Sequence, residues 1–234
     1  MKYSRHELVI GKEAQKKLEN SLVGVVGIGG LGCIAASLLA RSGINLVLVD
    51  KDVVSVTDLH RQILFDEKDV GLSKVEKSKE RLNEANPDIK IKYYNLDLSS
   101  ENIHVLKDCD LILDCSDNFD TKFLLNKFAV DNKIPLVYGS AIKGEGYVFN
   151  VLPKGPCLNC FLEGSKSLVT CSNIGVLNYQ AIIIGSLQVS QAFKILLGKN
   201  YEKGLVRFDV DRLELLKIKI NKRKDCNVCG KNGF

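Results

Sequence analysis

"VVGIGGLGC", residues 25–33, is the stretch on which the reading of this chain turns. Gly27, Gly29 and Gly32 stand in a G-x-G-x-x-G frame directly after the apolar run Leu22–Val26. That run reads as a buried strand. "GLGCIAASLLARS" (30–42) has helical spacing, so the glycines sit on a strand-to-helix turn. Glycines there permit a tight turn and let the backbone approach a phosphate at the positive end of a helix. The next apolar run, "NLVLVD" (45–50), ends in Asp50, 18 residues past Gly32. A carboxylate at that point can accept hydrogen bonds from ribose hydroxyls. Glycines and carboxylate together point to a nucleotide. They do not separate the pyrophosphate of NAD or FAD from the triphosphate of ATP.

Outward from this turn the pattern continues as strand and helix in alternation. Residues 7–19 have helical spacing, and residues 72–85 form a second such segment ended by "NPD" (86–88), because Pro87 cannot continue a helix. "IKIKYY" (89–94) alternates as a strand does, a short helix is expected near 100–107, "DLILDC" (110–115) reads as a strand and 120–132 as a helix. Alternation of this kind predicts a parallel sheet covered on both faces. After Pro135 the pattern changes. "PLVYGSAI" and "GYVFNVL" flank "KGEG" as an antiparallel hairpin, a long helix is expected near 175–197, and "LVRFDV" and "LELLKIKI" read as two further strands. With no repeat or linker evident, the expectation is an α/β, Rossmann-like mixed sheet in one domain over 1–234. Its parallel nucleotide-binding half spans about 20–134, its antiparallel half about 135–234, and helices cover both faces.

The totals exclude little and direct a few choices. Of 234 residues, 45% are apolar and 26% charged, the balance of a globular domain with a substantial core. The net charge of +5 is mild and partly held in "KIKINKRK" (217–224), a run that reads as a solvated face, so no nucleic-acid partner is expected. "AIIIGSLQV" (181–189) is interrupted by Gly185, Ser186 and Gln188 and reads as a core helix, not a membrane span. No signal peptide is recognisable, and eight cysteines without one suit a reducing compartment, so a cytoplasmic location is expected.

Three later stretches favour ATP. Arg61 lies in "VTDLHRQILF" (56–65), Lys74 in "DVGLSKVEKSKERL" (69–82), and Asp117 and Asn118 in "LDCSDN" (113–118) just past a strand end. That edge is where open α/β sheets bind ligands. A dinucleotide pyrophosphate needs little beyond backbone N–H groups. A triphosphate under attack needs its developing charge offset by Arg, Lys and Mg²⁺. Each residue alone has a plain structural reading, and only their joint placement argues for the site.

In this order, "YSRHELVIG", "GIGGLG", "LVD", "DLHRQILF", "VGLSKVE", "LDCSDN" and the cysteine pairs resemble the ThiF/MoeB/HesA group, relatives of the ubiquitin-activating enzymes, across essentially the whole chain. The resemblance implies adenylation of a carboxylate by Mg-ATP with release of pyrophosphate. That carboxylate would be the C-terminal glycine of a ubiquitin-like sulfur carrier. It implies that Gly27, Gly29, Gly30 and Gly32 contact ATP, that Asp50 binds the ribose, that Arg61 and Lys74 hold the phosphates and that Asp117 positions Mg²⁺. Asp52, Asp58, Gln62 and Asn118 fall in the same nucleotide-binding set. Arg5, by resemblance, enters the partner's site in a homodimer. The departure is Asp58, where the family commonly has asparagine; a carboxylate there would repel phosphates unless it helps hold a metal.

"CLNC" (157–160) and "CNVC" (226–229) are two Cys-x-x-Cys pairs separated by 65 residues. Four thiolates from Cys157, Cys160, Cys226 and Cys229 suit a structural, tetrahedral zinc, which the resemblance also includes. Redox pairs are the alternative, disfavoured because neither pair opens a helix in a βαβ unit. Cys171 lies just before the long helix. The family often has a cysteine there, linked transiently to the carrier in some members and dispensable in others. Cys33, Cys109 and Cys115 read as small apolar core residues. Only "GKNGF" follows the last pair, so sulfur is expected from another protein. Two other functions remain open at this stage: adenylation of a small-molecule carboxylate, and NAD-dependent oxidoreduction, under which Arg61, Lys74 and Asp117 would share no purpose.

Overall fold

The computed structural model describes residues 2–162 and 175–230. The strands are β1 (Leu22–Val26), β2 (Asn45–Asp50), β3 (Ile91–Asn95), β4 (Leu111–Asp114), β5 (Leu136–Ile142), β6 (Glu145–Val151), β7 (Leu205–Asp209) and β8 (Glu214–Ile218). The helices are α1 (Ser4–Ile10), α2 (Lys12–Glu19), α3 (Gly30–Arg41), α4 (Lys74–Ala85), α5 (Phe119–Asn132), α6 (Asn159–Leu162) and α7 (Asn178–Leu196). The strands form one eight-stranded sheet in the order β3-β2-β1-β4-β5-β6-β7-β8. Pairs from β3 to β5 are parallel, and pairs from β5 to β8 are antiparallel. The expected change after Pro135 is therefore a change of direction within a single sheet.

Alternation along the central strands explains why both faces are covered. Val23, Val25, Leu46, Leu48, Leu111 and Leu113 join one core with the buried residues of α3 and α7. Val26, Val47, Val49 and Ile112 point the other way, into a core with Leu125 and Ala129 of α5 and the four paired cysteines. Strands buried on both faces read as apolar runs, and β1 and the interiors of β2 and β4 do, with Asp50 and Asp114 at their carboxyl ends. The hairpin turn is tighter than expected: Ile142 pairs with Glu145, leaving Lys143 and Gly144, both at positive φ, as in a type I′ turn.

Two local departures have simple causes. The single helix expected over 7–19 is two, because Gly11 at φ +87° ends α1 with its N–H on Glu7 O and starts α2. The short helix near 100–107 is a 3₁₀ turn, Ile103–Leu106. Among the described residues no helix is long and apolar enough to cross a membrane.

Candidate nucleotide site

The carboxyl ends of β1, β2 and β4 open onto a cavity of about 620 Å³. Gly27, Gly29, Gly30, Asp50, Asp52, Asp58, Arg61, Gln62, Lys74, Asp117 and Asn118 all line it. These positions are separated by up to about ninety residues in the chain, and the parallel crossovers return them to one edge. Gly32 lies behind them, and Arg5 is exposed on α1 and does not line the cavity of its own chain. Cys171 lies outside the described residues.

The glycines divide into two kinds. Gly27 has φ +87°, and a Cβ on it would stand 2.7 Å from Cys115 O; a Cβ on Gly32 would stand 1.9 Å from Gly27 O. Both are required for the loop to pack at all. A Cβ on Gly29 would meet nothing nearer than Gln62 Nε2 at 4.0 Å, on the cavity side. The fold itself does not demand a glycine at 29, so its small size serves the open space. Gly29 is also the N-cap of α3, whose first turn carries no acidic side chain.

Asp50 is tied to this loop. Its carboxylate accepts from Ile28 N at 2.5 Å and Asp52 N at 2.8 Å. Burial raises its pKa above the ordinary carboxylate value, against the opposing pull of the Asp52 and Ile28 N–H groups and Lys74. Lys74 opens α4, held by its N–H on Asp52 O at 3.0 Å. Its ammonium lies 3.5 Å from Asp52 and 3.2 Å from Asp58, with only 7% of the side chain exposed. Arg61 contacts Asp58 at 3.2 Å and donates to Thr57 O at 2.7 Å.

The unusual Asp58 has a local explanation. It is the third residue of a 3₁₀ turn capped by Ser55, and its Oδ2 accepts the Ser55 N–H at 3.1 Å. Oδ2 also faces Lys74 Nζ, while Oδ1 takes Arg61 Nη2 and, at 2.7 Å, Gln62 Nε2. A carboxylate has about four lone-pair positions, and all are used here. Asp58 therefore offers no free oxygen to a metal, and the repulsion expected from it is cancelled by the two cations it touches. Its influence on a nucleotide runs through Lys74 and Arg61. Gln62 is 2% exposed and its Oε1 has no partner among the described residues, leaving one buried acceptor in the cavity wall.

Asp117 and Asn118 follow β4. Asn118 caps α5, its Oδ1 accepting from Thr121 N at 2.8 Å. Asp117 is exposed to the cavity, and its carboxylate takes no hydrogen bond or ion pair among the described residues. A free carboxylate beside a cationic pocket is a fitting ligand for a hard divalent ion. Sequence reasoning missed the pair beneath it. Asp114, fully buried at the end of β4, faces Lys122 of α5, only 5% exposed. Burial acts to lower the Lys122 pKa, but the Asp114 carboxylate and Tyr138 outweigh it and hold the ammonium above its ordinary value. A lysine in a helix reads as solvated; the only hint was the uninterrupted "LILDC" leading into the turn.

The four paired cysteines are all buried and their sulfurs lie within 4.8 Å of one another. Cys157 and Cys226 are 3.7 Å apart at sulfur, Cys160 and Cys229 3.4 Å. Tetrahedral zinc with bonds of about 2.3 Å would place its sulfurs about 3.8 Å apart, so the cluster fits such an ion. Cys33 and Cys109 are buried, and desolvation pushes each thiol up to about 12; Cys115 is raised further for the same reason. All three are inert core groups at neutral pH.

The arrangement can hold a polyphosphate between a glycine turn, two cations and a metal-ready carboxylate. Comparison with known proteins agrees in architecture. The adenylyltransferase and sulfurtransferase MOCS3 of Aedes aegypti is 39% identical over 245 residues, which cover 99% of this chain and 55% of that protein. The chain thus spans about half the length of that relative. The sulfur carrier protein ThiS adenylyltransferase of Bacillus subtilis is 33% identical over 243 residues, covering 100% of this chain and 72% of that protein. Among solved structures, E. coli MccB with ATP superposes with a TM-score of 0.87 at 23% identity, over 99% of this chain and 75% of that one, a likeness of fold. The ThiF family profile matches residues 3–228, and the chain belongs to that family.

Proposed function

We propose that this protein is an ATP-dependent adenylyltransferase that converts a carboxylate to its acyl-adenylate, the carboxylate being the C-terminal glycine of a ubiquitin-like sulfur carrier. The observation that carries the reading is the meeting of Arg61, Lys74 and Asp117 with the Gly27–Gly32 turn around one cavity. The names of the matched adenylyltransferases support it.

In the reaction a carboxylate oxygen attacks the α-phosphorus of ATP. One O–P bond forms, the α–β bridging O–P bond breaks, and pyrophosphate leaves with the electron pair. No proton transfer is needed, so the protein positions the reactants and stabilises charge. The α3 N-terminus and Gly29 N–H face the phosphates, and Asp50 meets the ribose. Asp52, Asn118 and the orphan Gln62 Oε1 complete the nucleotide wall. Arg61 and Lys74 leave Asp58 and Asp52 for the phosphate oxygens. Asp117 would hold Mg²⁺, which when bound neutralises charge on the phosphates. The Cys157, Cys160, Cys226 and Cys229 cluster would hold zinc with no open position, a structural site fastening the C-terminal segment. The working form would be a cytoplasmic homodimer of single-domain chains. Arg5 would reach the partner's site from α1, where Leu8 and Val9 are 79% and 82% exposed. Cys171 would serve transfer to the carrier.

ATP–pyrophosphate exchange tests this. Exchange should appear with a carrier ending in Gly-Gly, stay absent with small carboxylic acids, and vanish in Asp117→Ala. Exchange only with a small acid would move the substrate; none with any carboxylate, in folded protein, would end the adenylation reading.

A further inference from the structure

We infer that Lys122 is a positioning residue for the divalent cation. Together with Asp114 it fixes the Ser116–Asn118 turn, so that metal affinity at Asp117 depends on a lysine that does not touch the metal. The inference rests on the adenylation reading.

Ser116 immediately precedes Asp117. Every polar group it owns is taken by the buried pair. Its N–H and hydroxyl donate to Asp114 Oδ1 at 3.0 and 2.6 Å, and its carbonyl accepts from Lys122 Nζ at 2.7 Å. Lys122 reaches across from α5 and also donates to Gly139 O of β5 at 3.1 Å and meets both Asp114 oxygens at 3.3 Å. An ammonium has three protons, and four acceptors already share them. The Tyr138 ring closes the remaining side, its centroid 4.8 Å from Nζ. Lys122 lines the cavity yet has no donor left for a phosphate, which distinguishes it from Lys74.

The far end is equally constrained. Gln188 of α7 donates to Asp114 O and Val137 O at 2.9 and 3.1 Å, binding the ends of β4 and β5 together from the opposite face. On the other side of Asp117, Asn118 is held as the cap of α5, the helix that carries Lys122. Among the described residues Asp117 is thus the one member of the turn whose side chain takes no hydrogen bond or ion pair, flanked by residues whose side chains do. Groups that orient a metal ligand through such contacts typically set its affinity.

The test uses the full-length protein and Mn²⁺, whose free-ion electron paramagnetic resonance signal disappears on binding. Mn²⁺ is titrated with the non-cleavable α,β-methylene analogue of ATP present, and analogue binding is measured separately in chelator. Lys122→Met leaves Asp114 unpaired and can unfold, so the informative variant is Lys122→Met with Asp114→Asn, which buries no net charge. Its Mn²⁺ affinity should fall about tenfold while metal-free binding of the analogue stays within about twofold, and Lys122→Arg should restore most of the loss. Wild-type Mn²⁺ affinity in the folded double variant overturns the inference. A parallel loss of both affinities also overturns it, because that is the mark of a merely structural role. Failure of the wild-type protein to bind the analogue at all would instead strike the adenylation reading on which it depends.

Discussion

Two lysines line the same cavity at the same 5% exposure, and they are held in opposite ways. Among the described residues Lys74 is gripped only by carboxylates, those of Asp52 and Asp58. Lys122 is gripped by one carboxylate and two backbone carbonyls. A phosphate can replace a carboxylate as partner with little change in local charge. It cannot replace a carbonyl that belongs to the wall. Burial therefore does not say which cation is available to a ligand; the kind of acceptor does. Lys74 rests on Asp58 and Asp52 as exchangeable counter-ions, and Arg61 shares Asp58 while keeping one donor on Thr57 O, whereas Lys122 is part of the frame.

The contrast can be broken in four places. The largest effect is expected from Lys122→Met, which strands the fully buried Asp114 carboxylate. Urea unfolding should show a loss of about 3–5 kcal/mol, and adding Asp114→Asn should recover most of it. A loss as small as that of a surface lysine would mean that Lys122 is not part of the frame. Next comes Lys74→Met. It should leave the unfolding midpoint nearly unchanged, because Asp58 keeps Arg61, Gln62 and Ser55. Pyrophosphate exchange should nevertheless fall by about 10²–10³-fold, the loss of one charge stabiliser of the transition state. Equal damage to stability and exchange would erase the distinction between the two lysines.

Asp58→Asn gives a smaller effect of opposite sign. Removing the resident anion should release Lys74 and one side of Arg61 for the phosphates and tighten nucleotide binding about fivefold, roughly 1 kcal/mol. Calorimetric titration would show it, and weaker binding would mean that Asp58 orients the cations rather than occupying them. The smallest effect concerns a pair nearer solvent. Arg207, then Tyr147, hold the Glu145 carboxyl below the usual carboxylate range. A lowered folded pKa stabilises above the unfolded value of about 4.3 and is lost as pH falls through the folded one. Acidification from about pH 5 towards 3 should therefore lower the unfolding free energy, read by urea titration, more in wild type than in Glu145→Gln, by under about 1 kcal/mol.

Much of the architecture was legible from pattern. The strand-turn-helix at 22–42 and the reversal after Pro135 both come from local periodicity and glycine placement, and both appear as read. The 7–19 segment was misread because helical spacing runs through Gly11, and only the backbone conformation there separates α1 from α2. The convergence of Arg61, Lys74 and Asp117 on one cavity was expected from their place after strand ends. The Asp114–Lys122 pair was not, because a buried lysine has no signature in an amphipathic helix until its partner strand is known.

By itself, then, the sequence determined the order of strands and helices, the glycine turn and the spacing of the cysteine pairs, since these depend on residues near one another in the chain. Only the tertiary structure decided which glycines serve packing and which serve open space, that Asp58 is saturated, and that one lysine is exchangeable and the other fixed. Those distinctions are set by which acceptors lie within hydrogen-bond reach, and the parallel crossovers bring those acceptors from distant segments. Hydrophobic pattern specifies the sheet; the pairing of buried charges is specified only once the sheet exists.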